Sequence, residues 1–173
     1  LSAELGDLPR KIRILDEELV VFRDASGRAG LLDAHCCHRG VSLEYGRLEP
    51  DGIRCCYHGW LYDVEGNCLD QPCEPAANDY AKKVRQPWYP VREYGGLIFA
   101  YMGPPDRMPA LPNFDILERD DIKLHAYRNN TRGVVADCNW LQIQENAVDP
   151  MHTFVLHSSI SGNQFTPAFA TLP

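Results

Sequence analysis

Two short segments rich in cysteine and histidine constrain the fold of this chain more than any other feature. They read AHCCHRG and RCCYHGW. Within them Cys36, His38, Cys55 and His58 follow the spacing Cys-x-His, 16 intervening residues, Cys-x-x-His. Thiolates and imidazoles bind zinc and iron well, and each segment offers one of each to a shared centre. The chain is therefore expected to fold so that the two segments meet.

The spacing leaves part of the ligand choice open. Cys37 is adjacent to the first histidine, and the side chains of adjacent residues diverge, which favours Cys36. In the second segment Cys56 would repeat the Cys-x-His order of the first, so Cys55 and Cys56 are both candidates. Two centres accept two thiolates with two imidazoles, a tetrahedral structural zinc and a Rieske [2Fe-2S] cluster.

Composition narrows the class of protein. The 173 residues are 45% hydrophobic, enough for one good core or two small ones, and the net charge is -7. The sequence has no basic stripe, so we expect no nucleic-acid partner. It has no long apolar run and no signal-peptide pattern, so we expect no membrane span and a cytoplasmic location. Seven cysteines, four of them in adjacent pairs, favour metal binding over a disulfide framework. The chain starts at Leu1 rather than Met, so a fragment is expected.

The first hundred residues show short β-prone runs separated by turn signals. The turns include DASGRAG, EPDG, VEGN and REYGG, and the pattern predicts a compact, mostly antiparallel β domain. The predicted strands are KIRIL, ELVVF, AGLLDAH, GIRCC, WLYDV and GLIFAYM. A proline-rich passage, GPPDRMPALPNF, then indicates a domain boundary, because its four prolines exclude a continuous helix or a central strand.

The last third begins with a predicted strand, IKLHAYR, and continues with a helical pattern from DCNW onward, which Asp137 or Asn139 could cap. This helical segment carries a second group of candidate ligands. Two imidazoles and a carboxylate can form a facial triad for Fe(II). Residues five apart on a regular helix point about 140° from each other, so two such histidines need a π-bulge or a helix end between them. The candidates are Glu145, Asp149, His152 and His157.

The segments CCHRGVSLEYG and IRCCYHGWLYD resemble the two cluster loops of a Rieske domain, in the form found in the terminal oxygenases of Rieske non-haem iron systems. The resemblance implies a [2Fe-2S] cluster. Cys37 and Cys56 stand where that family most often has proline; they are either neutral replacements or a disulfide that ties the loops together. His35 is expected to be a surface or hydrogen-bonding residue, and Cys68, Cys73 and Cys138 are expected to be structural thiols. The implied cluster ligands are Cys36, His38, Cys55 and His58.

The segment CNWLQIQENAVDPMHTFVLH resembles the mononuclear-iron motif of Rieske oxygenase α subunits. The resemblance implies that His152 and His157 ligate Fe(II), and that Asp149 bridges an iron-ligand histidine to His58 of a neighbouring subunit. Asn146 and Phe154 are expected near the site. The third iron ligand, a carboxylate, is expected beyond Pro173.

The implied fold class is α+β: an antiparallel all-β Rieske [2Fe-2S] domain over residues 1–103, followed over residues 104–173 by a linker and the start of a helix-grip (START-like) catalytic domain. The implied function is a terminal oxygenase that accepts electrons from a reductase or ferredoxin. It would use O2 to hydroxylate, dihydroxylate or demethylate an organic, most often aromatic, substrate. The resemblance is to the phthalate-dioxygenase-like group, which implies a homo-oligomer of three or six subunits. The alternatives are a Rieske ferredoxin without catalysis and a zinc-stabilised β module.

Overall fold

The computed structural model describes residues 1–72, 74–75, 80–119, 121–122 and 137–157. The chain divides into two units, residues 1–128 and 129–173. The boundary near residue 103 stays a prediction. The predicted strand IKLHAYR and residue Cys73 lie outside the described residues, apart from Ile122.

The first unit is built from short antiparallel strands, as the sequence predicts. They form a three-stranded sheet in the order β1-β2-β3, a four-stranded sheet in the order β4-β5-β6-β7, and a hairpin of β8 and β9. The bounds are β1 Arg10–Ile14, β2 Glu17–Arg23, β3 Ala29–Asp33, β4 Arg47–Glu49, β5 Gly52–Arg54, β6 Leu61–Tyr62, β7 Cys68–Asp70, β8 Val91–Tyr94 and β9 Leu97–Ala100.

The position of strand β2 between two apolar clusters explains why its central residues are apolar without interruption. Successive side chains of a strand point to opposite faces of the sheet. Leu19 and Val21 pack into one apolar cluster, whereas Val20 and Phe22 pack into another. The first sheet is thus covered on both faces, and the larger cluster, on the Val20 side, also contains Cys36, Cys55, Trp60 and Tyr62.

Three strands were not predicted from the sequence. Strands β4 and β7 have three residues each, too few to show a period, and β8 contains part of the segment REYGG that was interpreted as a turn. The actual turn is Gly95–Gly96, where both residues have positive φ. Each of them is paired antiparallel with a strand next to it in the chain: β4 with β5, β7 with β6 and β8 with β9.

The described part of the second unit is helical. Helix α1 spans Trp140–Val148, α2 spans Pro150–His152, and a π-helical turn follows at Thr153–His157. Asn139 caps α1, because its side chain accepts the Leu141 N–H at 2.9 Å. Among the described residues, no helix is long and apolar enough to cross a bilayer.

Candidate metal centre

The two ligand loops have the same backbone hydrogen bonds. In the first loop Cys36 N donates to Val41 O and Gly40 N donates back to Cys36 O, at 2.9 and 2.8 Å. In the second loop Cys55 N donates to the carbonyl five residues on, at Trp60, and the glycine four residues on donates back to Cys55 O, at 2.9 and 3.1 Å. Cys36 and Cys55 therefore occupy equivalent positions.

Each of these turns depends on a glycine. Gly40 and Gly59 both have positive φ, 72° and 74°, a conformation that other L residues rarely adopt. The glycine after each candidate histidine thus closes its loop. This explains the local sequences HRG and HGW.

Burial separates the two cysteines of each pair. Cys36 and Cys55 are 3% and 4% exposed, whereas Cys37 and Cys56 are exposed. Burial raises the pKa of the Cys55 thiol, while the backbone N–H groups of Tyr57 and His58 donate to its sulfur and oppose that rise. Backbone donors directed at a thiolate sulfur suit a metal ligand. Cys37 and Cys56 are free thiols, so the disulfide alternative is not formed in this structure.

The two histidines lie side by side. The ring centroids of His38 and His58 are 4.6 Å apart, and the His38 imidazole also stacks on Trp60 with centroids 4.2 Å apart and planes inclined by 4°. Partial burial, and then the neighbouring His58, lower the pKa of His38. The neutral imidazole is therefore favoured, and this is the form that binds a metal.

The donor atoms are arranged in pairs rather than around one point. Cys36 and Cys55 lie close enough for Cys36 to add to the rise that burial causes in the pKa of the Cys55 thiol, and the two imidazoles are adjacent. Within the described ranges, no group of three or more His, Cys, Asp or Glu side chains surrounds a single ion position. A tetrahedral zinc needs four donors around one ion, whereas a Rieske cluster takes two sulfurs on one iron and two imidazoles on the other. The arrangement fits the cluster.

A tyrosine beside the sulfurs was not identified from the sequence. Tyr62 is fully buried, and its hydroxyl lies 3.2 Å from Cys36 Sγ and 3.3 Å from Cys37 Sγ. Burial, followed by the two adjacent thiols, raises its pKa, so the hydroxyl keeps its proton. It can therefore donate a hydrogen bond to sulfur. Its place on β6, seven residues beyond Cys55, was the only available signal.

A buried glutamine holds the first loop. Gln86 is fully buried, and its Oε1 accepts the Cys37 N–H at 2.8 Å. Its Nε2 donates to the carbonyl oxygens of Asp33 and His35, at 3.0 and 2.8 Å. All three contacts span about fifty residues, and no local sequence pattern indicates them.

Arg54 connects the second loop to two strands. Its guanidinium makes a two-bond contact with Glu49, at 2.6 and 2.9 Å, and donates to Asp70 and to Gly59 O, at 2.7 and 2.5 Å. These carboxylates raise the pKa of Arg54 further above its usual value. Because such paired contacts fix the guanidinium plane, Arg54 orients the loop that carries Cys55 and His58.

His35 and Cys68 lie where the sequence suggested, at the surface and in the core. His35 is at the surface, with Nε2 3.6 Å from Glu18 and Nδ1 3.8 Å from Asp33. Cys68 is buried in the core, and burial raises its pKa to about 11. Cys138 is exposed.

The helical unit contains the second candidate site. Asp149 separates α1 from α2 and caps α2, with Oδ1 accepting the Met151 N–H at 2.8 Å. Its Oδ2 lies 3.5 Å from His152 Nδ1. The pKa of Asp149 is lowered, chiefly because its carboxylate accepts the Met151 N–H. Burial opposes this effect more weakly, and His152 adds to the lowering, so the Asp149 carboxylate stays ionised. The π-helical turn that ends at His157 supplies the irregular backbone that the spacing between His152 and His157 requires.

The chain belongs to the family of Rieske [2Fe-2S] domains, whose model matches residues 2–90. Its relatives include oxygenase subunits. It is 50% identical to the phenoxybenzoate dioxygenase subunit alpha of Ectopseudomonas oleovorans, covering 100% of this chain and 44% of that protein. It is 42% identical to the phthalate 4,5-dioxygenase oxygenase subunit of Pseudomonas putida, covering 96% of this chain and 36% of that protein.

The comparison with solved structures also finds an oxygenase. Dicamba monooxygenase bound to 3,6-dichlorosalicylic acid superimposes with a TM-score of 0.68 at 27% identity, covering 98% of this chain and 48% of that one. The chain thus spans less than half of the length of these relatives.

Proposed function

We propose that this chain is the N-terminal part of a terminal oxygenase, the α subunit of a Rieske non-haem iron system. The observation that carries this proposal is that its similarity to oxygenase subunits extends over the whole chain and includes the helical unit with Asp149 and His152. A Rieske ferredoxin would need only the β unit, so the ferredoxin alternative leaves residues 137–157 without a role.

The proposed cluster ligands are Cys36 and Cys55 on one iron and His38 and His58 on the other. The bound cluster would supply a one-electron store. The chain's own contribution is to bury the sulfurs, to hold the two imidazoles side by side and to favour the neutral form of His38, whose pKa is lowered. The amide of Gln86 fixes the loop that carries the first pair.

The proposed iron ligands are His152 and His157, and the third ligand would be a carboxylate from a part of the protein beyond Pro173. Several large apolar side chains of the helical unit are exposed and would need cover from other elements of a complete domain. Trp140, Met151 and Phe154 are 69%, 64% and 71% exposed. A helix of nine residues such as α1 is marginally stable in water unless other elements cover its apolar side chains. The helix-grip fold would supply that cover.

Asp149 has the proposed role of bridging the two metal sites between neighbouring subunits. Its Oδ2 already lies near His152 Nδ1, and a carboxylate that accepts N–H bonds from two imidazoles fixes both rings. In this proposal the second imidazole is His58 of an adjacent subunit, which requires a homo-oligomer such as a trimer or a hexamer.

The first experiment tests this bridge in the complete protein. Asp149→Asn should leave iron and acid-labile sulfide contents near those of the wild type, and should slow the transfer of electrons from the cluster to the mononuclear site by at least about tenfold. Rapid-mixing spectroscopy of the prereduced protein would measure this rate. Asp7→Asn, at an exposed position, is the matched control. Equal transfer rates in the two variants would exclude the bridging role, and stoichiometric zinc without sulfide would exclude the cluster.

The proposed partner is an acidic electron-transfer domain, a reductase or a ferredoxin, that docks beside His38. The recess next to this imidazole has a volume of about 530 Å³, and the charged side chains that line it in the described part of the chain are Arg39, Lys83 and Arg85 together with the carboxylate of Glu74. The chain as a whole has a net charge of -7, so the excess of cationic side chains in this recess is opposite in sign to the protein's overall charge. Complementary charge accelerates the encounter of two proteins.

Reversal of one charge tests this docking surface. Lys83→Glu should raise the KM for the electron donor several-fold at low salt and should weaken its salt dependence, while kcat at saturating donor stays near the wild-type value. Arg92→Glu on strand β8 makes the same change of charge at an exposed site in another sheet and should have a much smaller effect. Equal effects of the two variants would locate the donor elsewhere.

The proposed substrates are small aromatic compounds, on the basis of the relatives' names. Those names include dioxygenases acting on phenoxybenzoate and phthalate and an O-demethylase acting on 5,5'-dehydrodivanillate. Hydroxylation, dihydroxylation and demethylation are therefore all within the proposed reaction class. We place the complete protein in the cytoplasm, where a reducing environment keeps thiols such as Cys37 and Cys56 free.

A further inference from the structure

Gln71 is a buried polar side chain whose amide has no hydrogen-bond partner among the described residues. The residue is 7% exposed, and neither its Nε2 nor its Oε1 makes a hydrogen bond there. Buried amides almost always find a partner, because removing one from water without a hydrogen bond costs free energy. Gln86, also a buried glutamine, follows this rule with three contacts. Gln71 therefore needs a partner from outside the described residues.

The backbone places Gln71 along the second ligand loop. The residue directly follows strand β7, whose last residue, Asp70, pairs with Leu61 of β6. Leu61 comes directly after the loop, and the pairing is antiparallel, so the chain beyond Asp70 runs back along that loop. The contact of the next residue agrees with this path, because a Cβ on Gly59 would lie 3.2 Å from Pro72 Cγ.

Gln71 is also close to the sulfurs of the first loop, by way of Cys68. Burial raises the pKa of the Cys68 thiol to about 11, and the Gln71 amide lies close enough to oppose that rise. Cys36 and Cys37 are near enough to add to the rise. The unpartnered amide thus lies near both ligand loops, in the region where the two buried ligand sulfurs meet.

We infer that Gln71 is a cluster-binding residue, whose side-chain amide donates an N–H bond to a sulfide of the [2Fe-2S] cluster and helps to retain it. The sulfides of such a cluster are anionic and have no donor of their own, so they accept N–H groups well. This residue lies outside both ligand loops and is additional to the four proposed ligands. The inference rests on the proposed binding of the cluster by those ligands.

The first measurement is the rate of iron release to a chelator from the complete, cluster-loaded protein. Gln71→Met has a similar length but no N–H, and it should release iron about fivefold faster, because one hydrogen bond of roughly 1 kcal/mol is lost. An amide without any partner predicts the opposite sign, since an apolar replacement would remove its desolvation cost and slow the release. Gln144→Met makes the same change at an exposed position and should match the wild type.

The second measurement detects the bond directly, by pulsed EPR of the reduced cluster in protein labelled with 15N at its glutamine side chains. The wild type should show a weak 15N coupling that is lost in Gln71→Met. Cys68→Ala alters the packing beside the amide without removing it, so this variant should keep the coupling. Any coupling that arises from Gln86 would persist in all of these variants.

Three results would overturn the inference. They are iron release from Gln71→Met that is no faster than from the wild type, a wild-type spectrum without 15N coupling, and a Gln71→Met spectrum that keeps every coupling of the wild type. The wild-type spectrum decides even if Gln71→Met does not fold. A wild-type protein without iron and sulfide would instead show that the proposed cluster is wrong, so the two failures are distinguishable.

Discussion

The imidazole of His38 lies flat against the indole of Trp60, with ring centroids 4.2 Å apart and planes inclined by 4°. Trp60 is 4% exposed and belongs to the main core, so the position of a candidate ligand is set by a side chain that the core itself holds. The stack links the packing of the β unit to the geometry of the metal centre.

Trp60→Leu should loosen this imidazole while leaving the fold intact. Loss of a buried indole costs about 3 kcal/mol or more, and a leucine recovers part of that loss. We expect a less stable protein whose His38 ring takes several orientations, seen as broadened EPR lines of the reduced cluster. Trp60→Phe keeps an aromatic face and should give narrower lines than Trp60→Leu. Identical spectra from the two variants would show that stacking does not orient the ring.

Gln86→Met should weaken the first cluster loop. Methionine has similar length but leaves the Cys37 N–H and two carbonyl oxygens without their partner. Each unsatisfied buried group costs about 1–3 kcal/mol, so we expect a loss of at least about 2 kcal/mol in the free energy of unfolding and faster loss of iron. Gln144→Met, at an exposed position of α1, should change stability by less than about 0.5 kcal/mol. Urea unfolding and iron release to a chelator measure both effects.

Two glycine substitutions separate backbone strain from steric overlap. Gly66 and Gly27 have positive φ, 76° and 89°. A Cβ on Gly66 would lie 2.1 Å from Gln86 O, whereas one on Gly27 would meet nothing within 4 Å. Gly27→Ala should cost about 1 kcal/mol from strain alone.

Gly66→Ala should cost more than Gly27→Ala, because the turn must move away from Gln86 and so disturbs the residue that holds the first loop. We expect a difference of at least about 2 kcal/mol, together with a lower cluster content in the purified protein. Thermal unfolding and sulfide analysis measure these quantities. A similar cost for both substitutions would show that the turn yields without strain on Gln86.

The ion pair between Glu93 and Arg23 should make stability depend on pH in acid. Two contacts at 2.5 and 2.8 Å join the side chains, and Arg23 holds the pKa of Glu93 at about 2, below its usual value of 4.5. A lowered carboxyl pKa stabilises the folded state above pH 4.5, and this contribution disappears as the pH falls toward 2.

Glu93→Gln should therefore lower stability at pH 7 by about 1 kcal/mol, after allowance for solvent screening of a side chain that is 34% exposed. The difference from the wild type should shrink between about pH 4.5 and pH 2. Urea unfolding of both proteins at several pH values measures the difference and cancels effects common to both. A difference that stays constant with pH would refute the assignment to this pair.

Much of the β unit could be predicted from the sequence, because its longer strands show apolar runs bounded by turn residues. The run ELVVF predicted β2, and the segments DASGRAG and VEGN predicted turns that the structure contains. Short strands such as β7 could not be predicted, because three residues are too few to show an alternating pattern. The π-helical turn Thr153–His157 was anticipated from the spacing between His152 and His157, whereas the helix break at Asp149 was not.

The sequence by itself determined the types of donor atom, their order and the presence of two ligand groups, because these depend on residue identity and spacing. The spacing left Cys55 and Cys56 as alternatives, and in the sequence only the family resemblance favoured Cys55. The tertiary structure supplies the physical distinction, since the equivalent hydrogen bonds of the two loops leave Cys55 buried and Cys56 exposed. It also brought Tyr62, Gln86 and Arg54 to the loops. Their contacts with the loops depend on strand pairing and core packing, and these are set by the whole fold rather than by local sequence.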